Sequence, residues 1–339
     1  MRAPDFWQRN GLAAHALAPL GALYDLAGHW RWARTTPWRA PVPVICVGNP
    51  TVGGSGKTPV AIALIARLQA QFGVHAHSLS RGYGGRLAGP LAVDPTAHTA
   101  IDVGDEPLLL DEVAATAWIA RRRAEGARAA VKAGAPLIVM DDGMQNPSVH
   151  KDLVLAVIDA RAGLGNGRVV PAGPLREHKD RALRRADALL LVGDEAAPVD
   201  LPLSAGQPVL TARLVPADNA AAFSGQALVA FAGIGRPDKF FQTLTALGAD
   251  IRARHSFPDH HRYSDTELDR LRAEAKRHGA RLVTTRKDFV RLSAAQRDGI
   301  DVLDVAMAFD DLAALDRLLT PLANAAASAS GPGLARDEA

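Results

Sequence analysis

Cysteine is nearly absent: Cys46 is the only one in 339 residues. An internal disulfide is therefore impossible, as is any zinc or iron–sulfur site built from several thiolates, and the usage suits a reducing cytosol. Net charge is small too. Lys and Arg exceed Asp and Glu by +3, too little for a protein that coats nucleic acid, despite a pI near 9.2. Long apolar runs are missing as well. The charge-free stretch 11–24 has 14 residues, short of the roughly 20 that span a bilayer, and His15, Pro19 and Asp25 weaken it further. No small-residue cleavage site follows a basic start and a clean apolar stretch, so no signal peptide is expected. What is present is globular: 48% hydrophobic and 22% charged residues exclude a disordered chain. The length fits one large or two ordinary domains.

The positive excess is concentrated. Residues 1–40 hold five arginines against Asp5 and Asp25, the whole of the +3, and four of the five tryptophans (Trp7, Trp30, Trp32, Trp38). Leu12, Ala16, Leu20, Leu23, Ala27 and Trp30 share one face at helical spacing. With Trp and Arg at its flanks, the segment reads equally as a helix in a membrane interface or as an amphipathic helix packed on the core.

Beyond it the pattern is α/β. Apolar runs predict strands at 43–47, 137–140, 153–159, 188–192 and 209–212, separated by helical or loop segments, which implies a mostly parallel sheet covered on both faces. A second, smaller strand–helix series follows, with strands at 227–232 and 282–285 and helices at 239–247 and 266–278. The expected organisation is an N-terminal helix over 1–34, a P-loop domain over 35–222, a smaller α/β domain over 223–321 and a disordered Ala/Ser/Gly-rich tail over 322–339.

Gly53-Gly54-Ser55-Gly56-Lys57-Thr58 follows a buried strand and opens a helix, the context a phosphate-binding loop requires. Glycines let backbone N–H groups approach phosphate oxygens, Lys57 neutralises the β/γ-phosphates, and the Thr58 hydroxyl suits Mg²⁺. Thr51 departs from the strict pattern, which has glycine there. The strand at 137–140 runs into Asp141 and Asp142, both eligible to serve the metal. Asp105, in Asp102-Val103-Gly104-Asp105-Glu106-Pro107, is either a helix cap or a chemical group. Asp259-His260-His261 precedes a capping-box helix start at Ser264. Gly173-Pro174-Leu175-Arg176-Glu177 leads into a basic helix.

Taken in order, these segments resemble the tetraacyldisaccharide 4′-kinases of lipid A biosynthesis. The matching stretches also include Ser80-Arg81-Gly82-Tyr83-Gly84, Asp141-Asp142-Gly143-Met144-Gln145, Phe231-Ala232-Gly233-Ile234-Gly235-Arg236-Pro237 and Thr284-Thr285-Arg286-Lys287-Asp288, and the set spans about residues 40–290. Thr51 fits, because that family lacks the first glycine of the loop; Met144 stands where an aromatic is common. The resemblance implies a P-loop fold with an N-terminal membrane-interface helix, on a protein peripheral to the cytoplasmic face of the inner membrane. It implies transfer of the γ-phosphoryl of ATP, with Mg²⁺, to the 4′-hydroxyl of an acylated glucosamine disaccharide 1-phosphate lipid, giving lipid IVA. The implied partners are that lipid and the membrane surface, with no nucleic acid. Implied roles are Gly53, Gly54, Ser55, Gly56, Lys57, Thr58 and Arg176 for the nucleotide, and Thr58, Asp141, Asp142 and Glu177 for the metal. Asp105 is the implied base, assisted by His260 in preference to His261. The competing function is a membrane-associated nucleotide-switch ATPase with a Gly-Gly-x-Gly-Lys-Thr loop, which usually carries lysine where this chain has Val52.

Overall fold

The computed structural model describes residues 4–54, 56–193, 201 and 203–329. Thirteen strands occur among them: β1 Val44–Gly48, β2 His77–Ser80, β3 Leu91–Ala92, β4 Ala117–Ile119, β5 Ile138–Asp141, β6 Leu153–Asp159, β7 Ala188–Val192, β8 Val209–Pro216, β9 Ala227–Ala232, β10 Asp250–Ser256, β11 Arg281–Thr285, β12 Ile300–Leu303 and β13 Val305–Phe309. They form a nine-stranded sheet in the order β13-β8-β7-β6-β1-β5-β2-β4-β3 and a four-stranded sheet in the order β10-β9-β11-β12. Pairing in the large sheet is parallel except at its two edges, β3 on β4 and β13 on β8. The small sheet is parallel throughout.

Alternation along β1 shows how the large sheet is covered. Ile45 and Val47 join a core with Val60, Leu64 and Leu68 of the Lys57–Phe72 helix. Val44 and Cys46 face the other side, with Ala127, Ala130 and Leu183. Both faces are dry, as a parallel sheet requires. Burial drives the Cys46 thiol up to about 12, so it stays protonated.

Two expectations are corrected at the C-terminal end. The second domain does not run to 321: after β12 the chain returns, and β13 pairs antiparallel with β8 from Val305 opposite Pro216 to Phe309 opposite Ala212. Nor is the chain disordered from 322. The Leu312–Ala329 helix buries Leu315, Leu319, Ala323 and Ala326 in the core beside the Lys57–Phe72 helix, at the spacing of one helical face. Arg67 clamps Asp316 through two bonds of 2.9 and 2.5 Å. Only residues 330–339 of the expected tail lie outside the described residues.

The N-terminal segment forms a short 3-10 turn, Asp5–Gln8, and one α-helix, Leu12–Ala33, whose only buried residues are Ala14 and Gly21. A Cβ at Gly21 would stand 2.7 Å from the Val169 carbonyl oxygen, so glycine lets the helix lie against the chain there. Asp25 pairs with Arg181 and accepts the His178 N–H at 2.9 Å. Every residue of the predicted face, from Leu12 to Trp30, is exposed, so that face is not core. Tyr24 and Leu26 are exposed as well. The apolar arc is therefore broader than a single stripe, and at 100° per residue it lies opposite Ala14, Gly21 and Asp25. No described helix is long and apolar enough to cross a membrane.

Candidate active site

The phosphate-binding end is built where β1 and β5 lie side by side, with Val47 opposite Asp141. The loop after β1 enters the Lys57–Phe72 helix through Gly56 at φ 85°, a backbone state that favours glycine. Thr51 is accounted for here: it bridges antiparallel to Leu175, while Val52 N–H donates to Pro174 O at 2.7 Å and Arg176 N–H to Pro50 O at 2.8 Å. The Pro174–Arg176 segment thus braces the loop. Ser55 lies outside the described residues.

The Thr58 hydroxyl donates to Asp141 Oδ2 at 2.8 Å. Asp141 Oδ1 is buried and accepts no hydrogen bond. Burial, reinforced by the neighbouring Glu106 carboxylate and opposed by Lys57 and the Thr58 hydroxyl, pushes Asp141 up to about 7. A buried carboxylate with a spare oxygen beside a hydroxyl is a donor set that suits Mg²⁺, with the remaining shell left to phosphates and water. Among the described residues no group of three or more His, Cys, Asp or Glu could hold a metal alone.

Asp142 has a different task. At φ 55° it turns out of the strand and is gripped by Arg176 Nη1 at 3.0 and 3.1 Å and Nη2 at 3.2 Å, with Lys57 Nζ at 3.9 Å. The structure therefore separates the two aspartates: Asp141 toward Thr58, Asp142 toward the cations. Glu177, expected at the metal, is instead tied to Arg185 and accepts from Gln145 Nε2 at 3.3 Å. Arg185 in turn lies over the Trp32 ring at 4.2 Å, which links this end of the site to the N-terminal helix.

The second end joins the two sheets. The helix cap before Asp105 is Gly104 at φ 90°, and Asp105 is the first helical residue of Asp105–Asp111. A Cβ at Gly104 would stand 2.4 Å from the Tyr83 carbonyl oxygen, so the Arg81–Gly84 loop can pack here only against glycine. Thr99 and Asp102 form a capping box on the preceding Ala100–Val103 helix, Asp102 accepting from Thr99 N–H and Oγ1 at 2.9 and 2.7 Å. The Asp105–Asp111 helix has no side-chain cap, so Asp105 does not act as one. Its Oδ1 accepts the Glu106 N–H at 3.0 Å and its Oδ2 meets His260 Nδ1 at 2.9 Å. Tyr83 packs edge-on against the His260 ring at 5.9 Å.

His261 points elsewhere: it stacks on Phe257 at 4.7 Å, meets Tyr263 at 4.9 Å and contacts Glu267 at 3.2 Å. The histidine on Asp105 is His260. Sequence reasoning assigned no role to Glu106, Lys287 or Arg291, which the structure brings to the same place. Burial raises the Glu106 carboxyl, with Lys287 and Lys57 opposing the shift and the Asp105 and Asp142 charges adding to it. The Val-Gly-Asp-Glu-Pro and Thr-Thr-Arg-Lys-Asp stretches were the available signals for Glu106 and Lys287; nothing local marked Arg291.

A family model described as tetraacyldisaccharide-1-P 4′-kinase matches residues 13–323. A tetraacyldisaccharide 4′-kinase from Rhodospirillum rubrum is 51% identical over 326 residues, covering 95% of this chain and 98% of the relative. One from Rhodospirillum centenum is 53% identical over 329 residues, covering 95% and 97%. The crystal structure of LpxK from Aquifex aeolicus in complex with ATP is similar with a TM-score of 0.75 and 27% identity, over 91% of this chain and 99% of that one.

Proposed function

This chain belongs to the tetraacyldisaccharide-1-P 4′-kinase family, and from that premise we propose how its residues carry the reaction. It is an ATP-dependent lipid A 4′-kinase, moving the γ-phosphoryl of ATP to the 4′-hydroxyl of a tetraacyldisaccharide 1-phosphate. The observation that supports the residue assignment is the Asp105–His260 pair, 2.9 Å apart across the two sheets, on a chain that also carries the P-loop lysine. A switch ATPase has no use for that pair.

Gly53, Gly54 and Gly56 would offer backbone N–H groups to the phosphates, with Ser55 assigned to the same loop role, and Lys57 would neutralise them, with Arg176 holding Asp142 in place beside the lysine. Thr58 and Asp141 would hold the Mg²⁺; Glu177 serves the site by anchoring Arg185. Bound there, Mg²⁺ would offset charge on the β- and γ-phosphates. Asp105 and His260 act as one proton-accepting unit for the sugar hydroxyl. Asp105 is the buried member and His260 the half-exposed one, at 4% and 36% side-chain exposure. Phosphoryl transfer asks mainly for positioning and charge neutralisation, which such a rigid arrangement supplies.

The exposed apolar arc of the Leu12–Ala33 helix, with Leu20, Leu23, Leu26 and Trp30, docks the protein on the cytoplasmic face of the inner membrane, where an acylated substrate resides. The test is an ATP-dependent phosphorylation assay on disaccharide 1-phosphate lipid in vesicles, with soluble sugars as controls. Phosphate transfer to the lipid alone is expected; transfer only to soluble sugars, or lipid-independent ATP hydrolysis alone, would overturn the substrate assignment.

A further inference from the structure

His260 is one of three cationic or donor groups that the second sheet aims at Asp105 Oδ2. Arg291 reaches the same oxygen through Nε at 2.9 Å and Nη2 at 2.6 Å. The Lys287 ammonium stands 3.8 Å from it and 3.8 Å from Asp259 Oδ1. The Arg291 side chain is 5% exposed, so this bond is made out of water.

The guanidinium is itself fixed from behind. Its Nη1 donates to Gly233 O at 2.7 Å and Asp288 Oδ1 at 2.8 Å. Asp288 is fully buried and accepts from Gly233 N–H at 3.0 Å, the Tyr263 hydroxyl at 2.9 Å and the Thr285 hydroxyl at 2.7 Å. The Gly233 carbonyl also accepts the His260 N–H at 3.2 Å, where His260 sits at φ 60°. One carbonyl therefore ties Arg291 to the backbone of the histidine loop. A Cβ on Gly233 would stand 2.9 Å from the Tyr263 hydroxyl oxygen and 3.1 Å from Asp288 Oδ1, so glycine keeps this knot closed.

We propose that Arg291 is a positioning residue for the phosphoryl transfer: it holds the Asp105 carboxylate against His260 and makes the pair competent only when the second sheet is docked on the first. The proposal rests on the assignment of Asp105 and His260 as the proton-accepting unit. A planar fork suits the task because it engages Asp105 with two donors and keeps a third for Gly233 and Asp288, which a lysine cannot do in fixed directions. An ionised, immobilised Asp105 accepts from His260 Nδ1–H and so leaves Nε2, which lies 3.8 Å from Asp259 Oδ2, as the nitrogen with the free lone pair. Burial alone would raise the Asp105 carboxyl; the His260 bond and the Lys287 and Arg291 charges outweigh it and hold the group well below the usual carboxylate range. The charged groups facing Asp105 are His260, Lys287 and Arg291 from the second sheet and Glu106 from its own helix, with Asp259 and Asp288 behind them.

The test compares the wild type, Arg291→Lys, Arg291→Ala and Asp105→Asn for kcat, KM for ATP, melting temperature and the pH profile of kcat. Expected for Arg291→Ala is a fall in kcat of about 10²-fold with KM for ATP within about twofold, because the phosphate end is untouched. Arg291→Lys should lose about tenfold. In both, the acid limb of kcat should move to higher pH by about one unit as Asp105 loses the guanidinium fork, and added guanidinium should restore part of the Arg291→Ala activity. A purely architectural arginine would give neither the pH shift nor the rescue. Should Arg291→Ala fail to fold, Arg291→Lys, which keeps the buried charge, decides by its kcat and pH limb. A folded Arg291→Lys with wild-type kcat and pH limb overturns the proposal. If Asp105→Asn also keeps wild-type kcat, the proton-acceptor assignment itself falls; if Asp105→Asn is crippled and Arg291→Lys is not, only the role of Arg291 falls.

Discussion

The two ends of the site are made in different ways. The phosphate end is assembled inside one sheet: Lys57 and Thr58 open the helix after β1, Asp141 ends the strand beside it, and the 2.8 Å bond from Thr58 joins the two. The acid–base end is assembled across two sheets, from residues 155 positions apart for Asp105 and His260 and 186 apart for Asp105 and Arg291. A shift of the small sheet would leave the first almost unchanged and dismantle the second. On the proposed assignment, nucleotide binding and proton acceptance should therefore be separable by mutation.

Lys57→Ala should give the largest loss, on the order of 10³ in kcat/KM, with the melting temperature nearly unchanged because the side chain serves the site rather than the core; wild-type turnover with ATP would remove the loop from the mechanism. Asp105→Asn should cost about 10²-fold or somewhat more in kcat while ATP affinity, read by equilibrium binding, holds. Asp105 is not the helix cap, so near-normal kcat in that variant could not be explained by capping and would return the residue to a structural role. His260→Ala should cost about tenfold, and the Asp105→Asn/His260→Ala double variant less than the product of the two if they act together. His261→Ala should do the opposite, lowering stability by about 1–2 kcal/mol through lost packing on Phe257 and Tyr263, with the smaller effect on kcat.

Acid should distinguish the ends as well. The Asp105 carboxyl is lowered in the folded protein, so its contribution to stability is complete above the ordinary carboxylate range, about pH 4, and is lost as pH falls below it. Melting curves between pH 6 and pH 3 should lose less in Asp105→Asn than in the wild type; equal losses would mean that Asp105 does not couple docking to pH. The smallest effect on the chemistry belongs to the N-terminal helix. Leu23→Gln with Leu26→Gln should weaken binding to anionic vesicles several-fold while leaving melting temperature and ATP affinity in place, since both side chains are exposed. Unchanged vesicle binding would free that face from a membrane role.

Legibility in the sequence followed the range of the interactions. The strands at β1, β5, β6, β7 and β9 are apolar runs between turn signals, and all were visible. β2 (His-Ser-Leu-Ser) was not: it is buried inside the large sheet between β5 and β4 but carries few apolar residues, and its Ser78 and Ser80 hydroxyls find no hydrogen-bond partner among the described residues. β10 alternates charged and small residues as an edge strand should. The return of β13 and the final helix to the large sheet has no local signature, because pairing with β8 is decided by where the chain comes back.

By itself the sequence determined the elements whose physics is local: the glycine loop that only a strand–helix junction can use, the acidic end of β5 and the capping box at Ser264. These depend on backbone freedom, period and neighbouring side chains within a few residues. Tertiary structure alone decided which of two adjacent aspartates faces Thr58, which of two adjacent histidines reaches Asp105, that Glu177 is held by Arg185, and that Arg291 bonds Asp105. The first two are choices between neighbours equal in residue type, settled by strand register and by a positive φ at Asp142 and His260; the last is settled by docking one sheet against another. Such choices are made by the direction in which a side chain leaves the backbone, and that direction is a property of the packed fold.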